Sequence, residues 1–294
     1  CFTVVRDGVT IAAFSMSSLP QITEISNIPI PSPQGYLIYV PYAQSKTVNI
    51  CQNPPSNIST SSYTTLILEG DCSLNLDYLN VGYASSLEVR GDVKELKTNS
   101  FSTGSYATLS FKGSSGLSLS STSSVSLGYS STMDVNGPFQ IITPTFITSS
   151  YAVPLSKGDV KIFANSASIG YSVSIRSPQS LEIKAQSLTL GSYTSITANK
   201  TVNVDANKVT FGYATEMRSD SLKPKDFVLS IAGSAPVNLQ SYTNFNGILY
   251  APNAPISIGY GSNFKGSAMG QKISLNSYAS LNYDSSLDEQ ICIQ

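Results

Sequence analysis

Apolar and polar residues alternate along this chain in short runs, and most of these runs lead into a tyrosine. Residues 79–87 read LNVGYASSL and residues 125–133 read VSLGYSSTM. Alternation over three to five residues, interrupted by Gly, Ser, Asn or Pro, is the pattern of short β-strands. The pattern therefore predicts a strand on each side of a corner that carries the tyrosine.

The tyrosine corner has two forms, which alternate without exception. Gly precedes the tyrosine in one form and Ser precedes it in the other. The Gly-Tyr tyrosine lies two residues after the preceding anchor residue and the Ser-Tyr tyrosine lies three residues after it, so the corner has a fixed length. The Gly of Gly-Tyr is expected at this corner because it tolerates positive φ. The tyrosines are Tyr63, Tyr83, Tyr106, Tyr129, Tyr151, Tyr171, Tyr193, Tyr213, Tyr242, Tyr260 and Tyr278.

Successive tyrosines lie 18 to 29 residues apart, and two further apolar-polar-apolar runs fall within each interval. Three short strands per repeat is the layout of a parallel β-helix. The leucine-rich repeat has a similar period, but its consensus is absent and no amphipathic helix fits between the coils. Asn-Gly hairpin turns do not recur with the period, which argues against a sandwich. We predict an all-β parallel β-helix, or β-solenoid, of about ten to eleven coils.

Two segments lie outside the predicted repeats of this single structural domain. Residues 1–56 hold seven of the fifteen prolines and are predicted to form an N-terminal cap over the first coil. Residues 57–286 form the predicted solenoid, and residues 287–294 form a C-terminal tail. The longest interval contains Ser219 to Asp226, which is predicted to protrude as a loop.

Composition and charge exclude several classes of function. Only 12% of the residues are charged and the net charge is -1, so we expect no binding to nucleic acid. No apolar run is long enough to suggest membrane insertion. Histidine is absent, which excludes Ser-His-Asp and Cys-His catalysis, and no metal or cofactor is expected. Isolated acids such as Glu182 and Asp205 are expected to be solvated, although these two could meet across coils.

Four cysteines, Cys1, Cys51, Cys72 and Cys292, suggest disulfides and an extracellular setting. The sequence leaves all three pairings open, and free buried thiols are the alternative. Cys51 with Cys72 would close a short loop at the start of the repeats, and Cys1 with Cys292 would join the two ends. Because the chain starts at Cys1, we expect a processed product or an excised domain.

The tyrosine column is the positive evidence for function. Rungs of a parallel sheet are ~4.8 Å apart, so neighbouring rings can stack along the axis. Tyrosines of one form are about 9.6 Å apart, close to the roughly 10 Å disaccharide repeat of an extended β-1,4-glucan. The residue after each tyrosine is Ala, Ser, Thr or Gly, which would leave a flat aromatic face. The same column could instead be a ladder that only stabilises the solenoid, and the sequence does not say which way its rings point.

The tyrosine-cornered solenoid, its Pro-rich entry and its C-terminal Cys resemble the C-terminal domain of tapirins. Tapirins are cell-surface cellulose-binding proteins of thermophilic bacteria, encoded near type IV pilus genes. The last 40-odd residues also resemble pilus-associated β-helical proteins, at residues 246–253 (NGILYAPN), 264–266 (FKG) and 283–287 (YDSSL). The resemblance implies a cell-surface location and pilus or surface proteins as partners.

These observations predict a non-catalytic adhesin that binds insoluble polysaccharide, with cellulose as the first candidate, through the eleven tyrosines. The alternative is a structural or pilus-associated surface protein. A polysaccharide-degrading β-helix is a third reading.

Overall fold

The computed structural model is a parallel β-solenoid, which confirms the predicted fold class. It describes residues 35–284 without a break, together with residues 2–6, 9–14, 25, 28, 33 and 287. The strands are β1 (Phe2–Arg6), β2 (Val9–Phe14), β3 (Leu37–Val40), β4 (Ser45–Asn49), β5 (Asn57–Thr60), β6 (Thr65–Glu69), β7 (Leu74–Val81), β8 (Ser86–Arg90), β9 (Glu95–Thr103), β10 (Thr108–Phe111), β11 (Leu117–Leu127), β12 (Thr132–Val135), β13 (Phe139–Thr148), β14 (Val153–Ser156), β15 (Val160–Ile169), β16 (Ser174–Ser177), β17 (Leu181–Leu190), β18 (Ser195–Ala198), β19 (Val202–Thr210), β20 (Glu216–Ser219), β21 (Phe227–Ile231), β22 (Val237–Leu239), β23 (Asn244–Ile258), β24 (Asn263–Leu275) and β25 (Ser280–Asn282).

Most coils consist of a short strand after the tyrosine corner and a long strand that is bent in the middle. In β17 the alternation of buried and outward residues breaks at Gln186 and Ser187, which both lie outside the core. Two consecutive outward residues turn the strand, so the coil has three straight segments, as predicted. β17 pairs in parallel with β15 on one side and β19 on the other.

The core is a set of stacked columns of inward side chains. Phe101, Val125 and Phe146 occupy equivalent positions on β9, β11 and β13, and all three are fully buried. Each such side chain contributes about 1.5–3 kcal/mol on burial. A shift of one residue would turn a whole column outward, so the hydrophobic pattern fixes the register of the coils.

The solenoid begins at Leu37, earlier than the predicted boundary at residue 57. β3 pairs in parallel with β5, and β4 pairs in parallel with β6. The corner between β3 and β4 carries Tyr42, so the described chain has twelve tyrosine corners and not ten or eleven coils. Sequence reasoning missed this corner because Pro41 stands where the other corners have Gly or Ser.

One residue of the predicted N-terminal cap lies away from the first coil. The Ile25 N–H donates to Asn165 Oδ1 at 2.7 Å, and Asn165 Nδ2 donates to the Ile25 carbonyl at 3.3 Å. Because Asn165 lies in β15, the chain at Ile25 runs beside the middle of the solenoid. The asparagine amide takes the place of a peptide group and satisfies both backbone groups of Ile25.

A disulfide joins Cys51 to Cys72, with Cα atoms 5.7 Å apart. It links the first two described coils and is one of the pairings that the sequence left open. Cys1, Cys292 and most of the predicted tail lie outside the described residues. Of the predicted loop at 219–226, Ser219 ends β20 and Pro224–Asp226 form a short 3-10 helix.

Candidate functional site, a ladder of exposed tyrosines

The two forms of the corner share one backbone conformation. In the Ser-Tyr form the tyrosine itself is left-handed, with φ of 59° at Tyr63 and 60° at Tyr193. In the Gly-Tyr form the next residue is left-handed, with φ of 49° at Ala84 and 53° at Ala214. The left-handed residue therefore lies three places after the anchor in both forms, and only the tyrosine changes place, as the fixed corner length predicted.

Hydrogen bonds between coils hold this corner. The left-handed residue of each corner donates its N–H to a carbonyl in the corner of the next coil. The acceptor is the residue that comes just before the left-handed residue of that next corner. The Tyr63 N–H donates to Tyr83 O at 2.9 Å, and the Ala84 N–H donates to Ser105 O at 2.9 Å. A left-handed non-glycine residue costs about 1–2 kcal/mol, and the continuous ladder of bonds offsets this cost.

The glycine of the Gly-Tyr form has a different role from the predicted one. Positive φ falls two residues later, and not on Gly82 or Gly128. A Cβ on Gly82 would lie 2.1 Å from the carbonyl oxygen of Ser61, and a Cβ on Gly128 would lie 2.4 Å from that of Gly104. The glycine is therefore required by the close approach of the preceding coil.

Every tyrosine of the corners points outward. The side chains are between 41% (Tyr129) and 84% (Tyr278) exposed, and the two ends of the row are the most exposed. Alternation of inward and outward residues along a strand would place the Gly-Tyr rings inside. The left-handed residue in the corner interrupts this alternation, so the rings point outward. We call these residues the Tyr ladder, which consists of Tyr42, Tyr63, Tyr83, Tyr106, Tyr129, Tyr151, Tyr171, Tyr193, Tyr213, Tyr242, Tyr260 and Tyr278.

The rings of the Tyr ladder meet edge to face and do not stack. Neighbouring centroids are 5.4–5.8 Å apart, and the ring planes are at 62–82°. The expectation of a flat stacked strip is therefore wrong. The positive edge of each ring meets the negative face of its neighbour, which is the favoured arrangement at this spacing.

The pKa of the phenol is raised in five Ser-Tyr rings, and the neighbouring Gly-Tyr ring contributes to the rise in each. The hydrogen bond with Tyr83 raises the pKa of the Tyr63 phenol. Desolvation by neighbouring groups, followed by the charge on Tyr171 and a hydrogen bond to it, raises the pKa of Tyr151. Each pair joins a Ser-Tyr ring to the Gly-Tyr ring of the next coil. The remaining such pairs are Tyr106 with Tyr129, Tyr193 with Tyr213 and Tyr242 with Tyr260.

The small residue after each tyrosine has two separate explanations. In the Ser-Tyr form it points inward, and Thr64, Ala107 and Thr194 are almost fully buried there. In the Gly-Tyr form it is the left-handed residue itself. The expected role of these residues in flattening the surface is therefore not needed to explain them.

Polar residues that sequence reasoning missed flank the Tyr ladder on both sides. The leading column comprises the outward residues just before the corner, and it is mostly Ser, Thr and Asn. The Ser102 hydroxyl donates to Asn80 Oδ1 at 3.0 Å within it. A groove beside Tyr260 is lined by Asn238, Gln240 and Ser257. The leading column is Tyr39, Ser59, Asn80, Ser102, Ser126, Ile147, Ser168, Thr189, Thr210, Asn238, Ser257 and Ser274.

The trailing column comprises the first residue of each strand after the corner. The Ser195 and Ser174 hydroxyls are 2.8 Å apart in it. Glu216 is the one charged residue in these two columns. Only the register of the coils reveals the two columns, because most of their members are ordinary polar residues in the sequence. The trailing column is Ser45, Thr65, Ser86, Thr108, Thr132, Val153, Ser174, Ser195, Glu216, Asn244, Asn263 and Ser280.

Several acids that the sequence suggested were isolated lie in exposed ion pairs. Arg90 Nε lies 3.0 Å from Glu88 Oε1, and Arg218 Nε lies 2.7 Å from Glu216 Oε1. Both pairs have a spacing of two residues, which places the partners on the same face of a strand. Exposed ion pairs contribute little to the free energy of unfolding, so these pairs add charge to the surface but do little to stabilise the fold.

Glu182 and Asp205, the two acids that could meet across coils, lie on neighbouring strands near Lys184. Register places Glu182 opposite Asn203 and Lys184 opposite Asp205. Lys184 Nζ lies 2.9 Å from Glu182 Oε1. Desolvation raises the pKa of the Asp205 carboxyl, and the positive charge of Lys184 opposes this rise. The cluster is therefore a local charge network with Lys184 as the shared partner.

A family model matches the second half of the chain. Residues 146–290 match a family described as a domain of unknown function (DUF7305). The matched part carries seven tyrosines of the ladder, from Tyr151 to Tyr278. No curated protein matches the chain, and no solved structure matches it either. Among the described residues, no helix is long and apolar enough to cross a bilayer.

Proposed function

We propose that the protein is a non-catalytic adhesin that binds insoluble polysaccharide, with cellulose as the first candidate. The observation that carries the proposal is the continuous, outward-facing Tyr ladder bordered by the leading and trailing columns. Twelve rings at the spacing of parallel strands span about 53 Å, which suits a long polymer better than a small ligand.

The chemistry of this surface fits a neutral sugar chain. Aromatic rings contact the apolar C–H faces of sugars, while phenol, hydroxyl and amide groups exchange hydrogen bonds with sugar hydroxyls. Both neighbouring columns are almost uncharged, so a neutral polymer meets little desolvation cost there.

Many weak contacts on one rigid scaffold add up through multivalency. Rings of the same form recur every two coils, about 9.6 Å apart, which is near the glucan repeat but does not equal it. The two repeats drift out of phase along the ladder. We therefore expect binding to depend on how many rings make contact and not on a single register.

The disulfide between Cys51 and Cys72 supports an oxidising, extracellular location. The resemblance to tapirins adds cell-surface attachment, and pilus or surface proteins as further partners. The low charge supports the expectation that the protein binds no nucleic acid.

A second candidate function is purely structural. The edge-to-face contacts along the whole ladder favour it, because such pairs stabilise a fold by about 0.5–1.5 kcal/mol each without any ligand. In that case the protein would be a surface or pilus-associated component whose ladder only stiffens the solenoid.

A depletion assay on microcrystalline cellulose separates the two candidates. The test variant replaces Tyr129, Tyr171 and Tyr213 by Ala, and the control replaces Tyr283, which is exposed but lies outside the ladder and both columns, by Ala. Binding lost only in the triple variant, with a folded circular dichroism spectrum, supports the adhesin. If the native protein is not depleted from solution, the adhesin proposal is wrong. Release of reducing sugars from glucans or pectins would instead favour an enzyme.

A further inference from the structure

We infer that the Tyr ladder is a site of oxidative cross-linking, at which a one-electron oxidant joins the tyrosines of successive coils through carbon–carbon bonds. This inference stands on the ladder's geometry and is independent of any ligand. The product would be a series of dityrosine links along the solenoid.

Proximity and access are both built into the ladder. Tyr151 and Tyr171 have ring centroids 5.5 Å apart, and both side chains are 43% exposed. The Tyr151 N–H donates to the Tyr171 carbonyl at 3.0 Å, so the two backbones are fixed relative to each other. Groups held this close react as if at a very high local concentration.

The chemistry balances with two equivalents of a one-electron oxidant, such as a peroxidase intermediate or a photo-oxidised metal complex. Each of two neighbouring phenols gives one electron to the oxidant and its hydroxyl proton to water. The two phenoxyl radicals form a bond between the ring carbons adjacent to the carbons that bear oxygen. Each of these ring carbons then loses its hydrogen as a proton, and each oxygen regains one. The product therefore has two phenols and two fewer hydrogen atoms.

Close contact between neighbouring rings helps the two radicals to meet. In the pair of Tyr151 and Tyr171, whose ring centroids are 5.5 Å apart, an electron and a proton can pass from the intact phenol to the neighbouring phenoxyl radical. Donor and acceptor are the same chemical group, so the exchange has almost no driving force in either direction. A radical formed on one ring is thus shared with its partner until a second oxidation occurs nearby.

The links would repeat what the disulfide already does at the first coils. Cys51 and Cys72 are separated by 21 residues and join neighbouring coils. Tyr63 and Tyr83 likewise lie on neighbouring coils, with ring centroids 5.4 Å apart. Dityrosine bonds would extend such coil-to-coil staples along the solenoid.

The test oxidises the full chain at high dilution with a photo-oxidised ruthenium complex and maps cross-linked peptides by mass spectrometry. We expect links between successive ladder tyrosines within one chain, and loss of the Tyr151–Tyr171 and Tyr171–Tyr193 links in Tyr171→Phe while Tyr83–Tyr106 persists. Unfolding in urea should lower the yield about tenfold or more, because proximity is lost.

Tyr39 is the internal control, because it is 49% exposed but lies outside the ladder. Cross-links to Tyr39 as frequent as those within the ladder would overturn the inference. A product formed only between different chains would overturn it as well. The peptide map shows the first outcome, and denaturing gel electrophoresis, which separates cross-linked dimers from monomers, shows the second. Circular dichroism confirms that Tyr171→Phe is folded.

Discussion

Tyr151 presents its ring to that of Tyr171 at an interplanar angle of 72°, although the two residues occupy different places in their corners. Tyr151 is the left-handed residue of its corner, whereas Tyr171 comes just before the left-handed Ser172. The alternation of the two corner forms thus turns successive rings by nearly a right angle. A column of identical corners would give parallel rings at the rung spacing, without the favourable contact of edge to face.

Removal of one ring from the ladder should destabilise the solenoid. Tyr171 contacts Tyr151 and Tyr193, so Tyr171→Ala should lower the free energy of unfolding by about 1–3 kcal/mol. Tyr171→Phe keeps the ring and should retain most of that stability. Urea unfolding followed by circular dichroism measures both. Equal losses in the two variants would show that the hydroxyl, and not the ring contact, is what matters.

The close approach of coils at Gly128 should make this position intolerant of any side chain. A Cβ there would lie 2.4 Å from a backbone carbonyl oxygen, so Gly128→Ala should cost about 1–3 kcal/mol. Pro41 occupies the equivalent position in the first described coil, where no earlier described coil precedes it. Pro41→Ala should therefore change stability by no more than about 0.5 kcal/mol. Thermal melting compares the two, and a tolerated Gly128→Ala would contradict the steric explanation.

Alkaline pH should weaken the fold through the Tyr ladder. The phenol pKa is raised above the ordinary value of 10.0 at Tyr63, Tyr106, Tyr151, Tyr193 and Tyr242. Between pH 10.0 and the raised pKa values of the folded chain, the folded chain holds more protons than the unfolded chain. The free energy of unfolding therefore falls as pH rises through this interval. The contribution of these phenols to stability is complete below the unfolded pKa of 10.0, and it is lost as pH rises through the higher pKa values of the folded chain.

Ultraviolet absorbance of tyrosinate gives the titration curve. We expect a folded-state curve that is shifted upward and broadened relative to that of the chain in urea. Superimposable curves for the folded and unfolded chain would refute coupling between the rings.

Loss of the disulfide should affect the first coils more than the rest. The linked residues are 21 apart, and a loop of this size stabilises by about 3 kcal/mol through the unfolded state. Because coils contact only their neighbours, Cys51→Ser with Cys72→Ser should increase hydrogen exchange in β4 to β8. Exchange in β15 to β19 serves as the internal control. A uniform increase along the chain would instead indicate that the solenoid unfolds as one unit.

The hydroxyl columns should contribute to polysaccharide binding if the proposed function holds. Thr108→Val with Thr132→Val removes two hydroxyls of the trailing column while keeping the side-chain shape. Each lost hydrogen bond should cost about 0.5–1.5 kcal/mol, which weakens cellulose binding measurably. Thr145→Val, at an outward bend of β13, is the control. Unchanged binding of the double variant would restrict the site to the rings.

The alternating corners could be predicted from the sequence because they depend on residues that are close together in the chain. The apolar-polar alternation before Tyr83 and Tyr129 fixes which residues enter the core, and the constant corner length fixes the repeat. Sequence reasoning missed the coil of Tyr42 because Pro41 replaces glycine there. In the other Gly-Tyr corners, the backbone of the preceding coil leaves no room for a side chain, so only glycine fits. That constraint comes from a tertiary neighbour and cannot be seen in the local sequence.

By itself, then, the sequence determined the solenoid, the two corner forms and the tyrosines that belong to them. Only the tertiary structure decided that the rings face solvent, that they meet edge to face, and that Ser102 and Thr108 line columns on either side. The reason is that these properties depend on the register between coils about twenty residues apart. Local alternation specifies each coil, but the direction of a corner side chain and its neighbours are set by the coils above and below it.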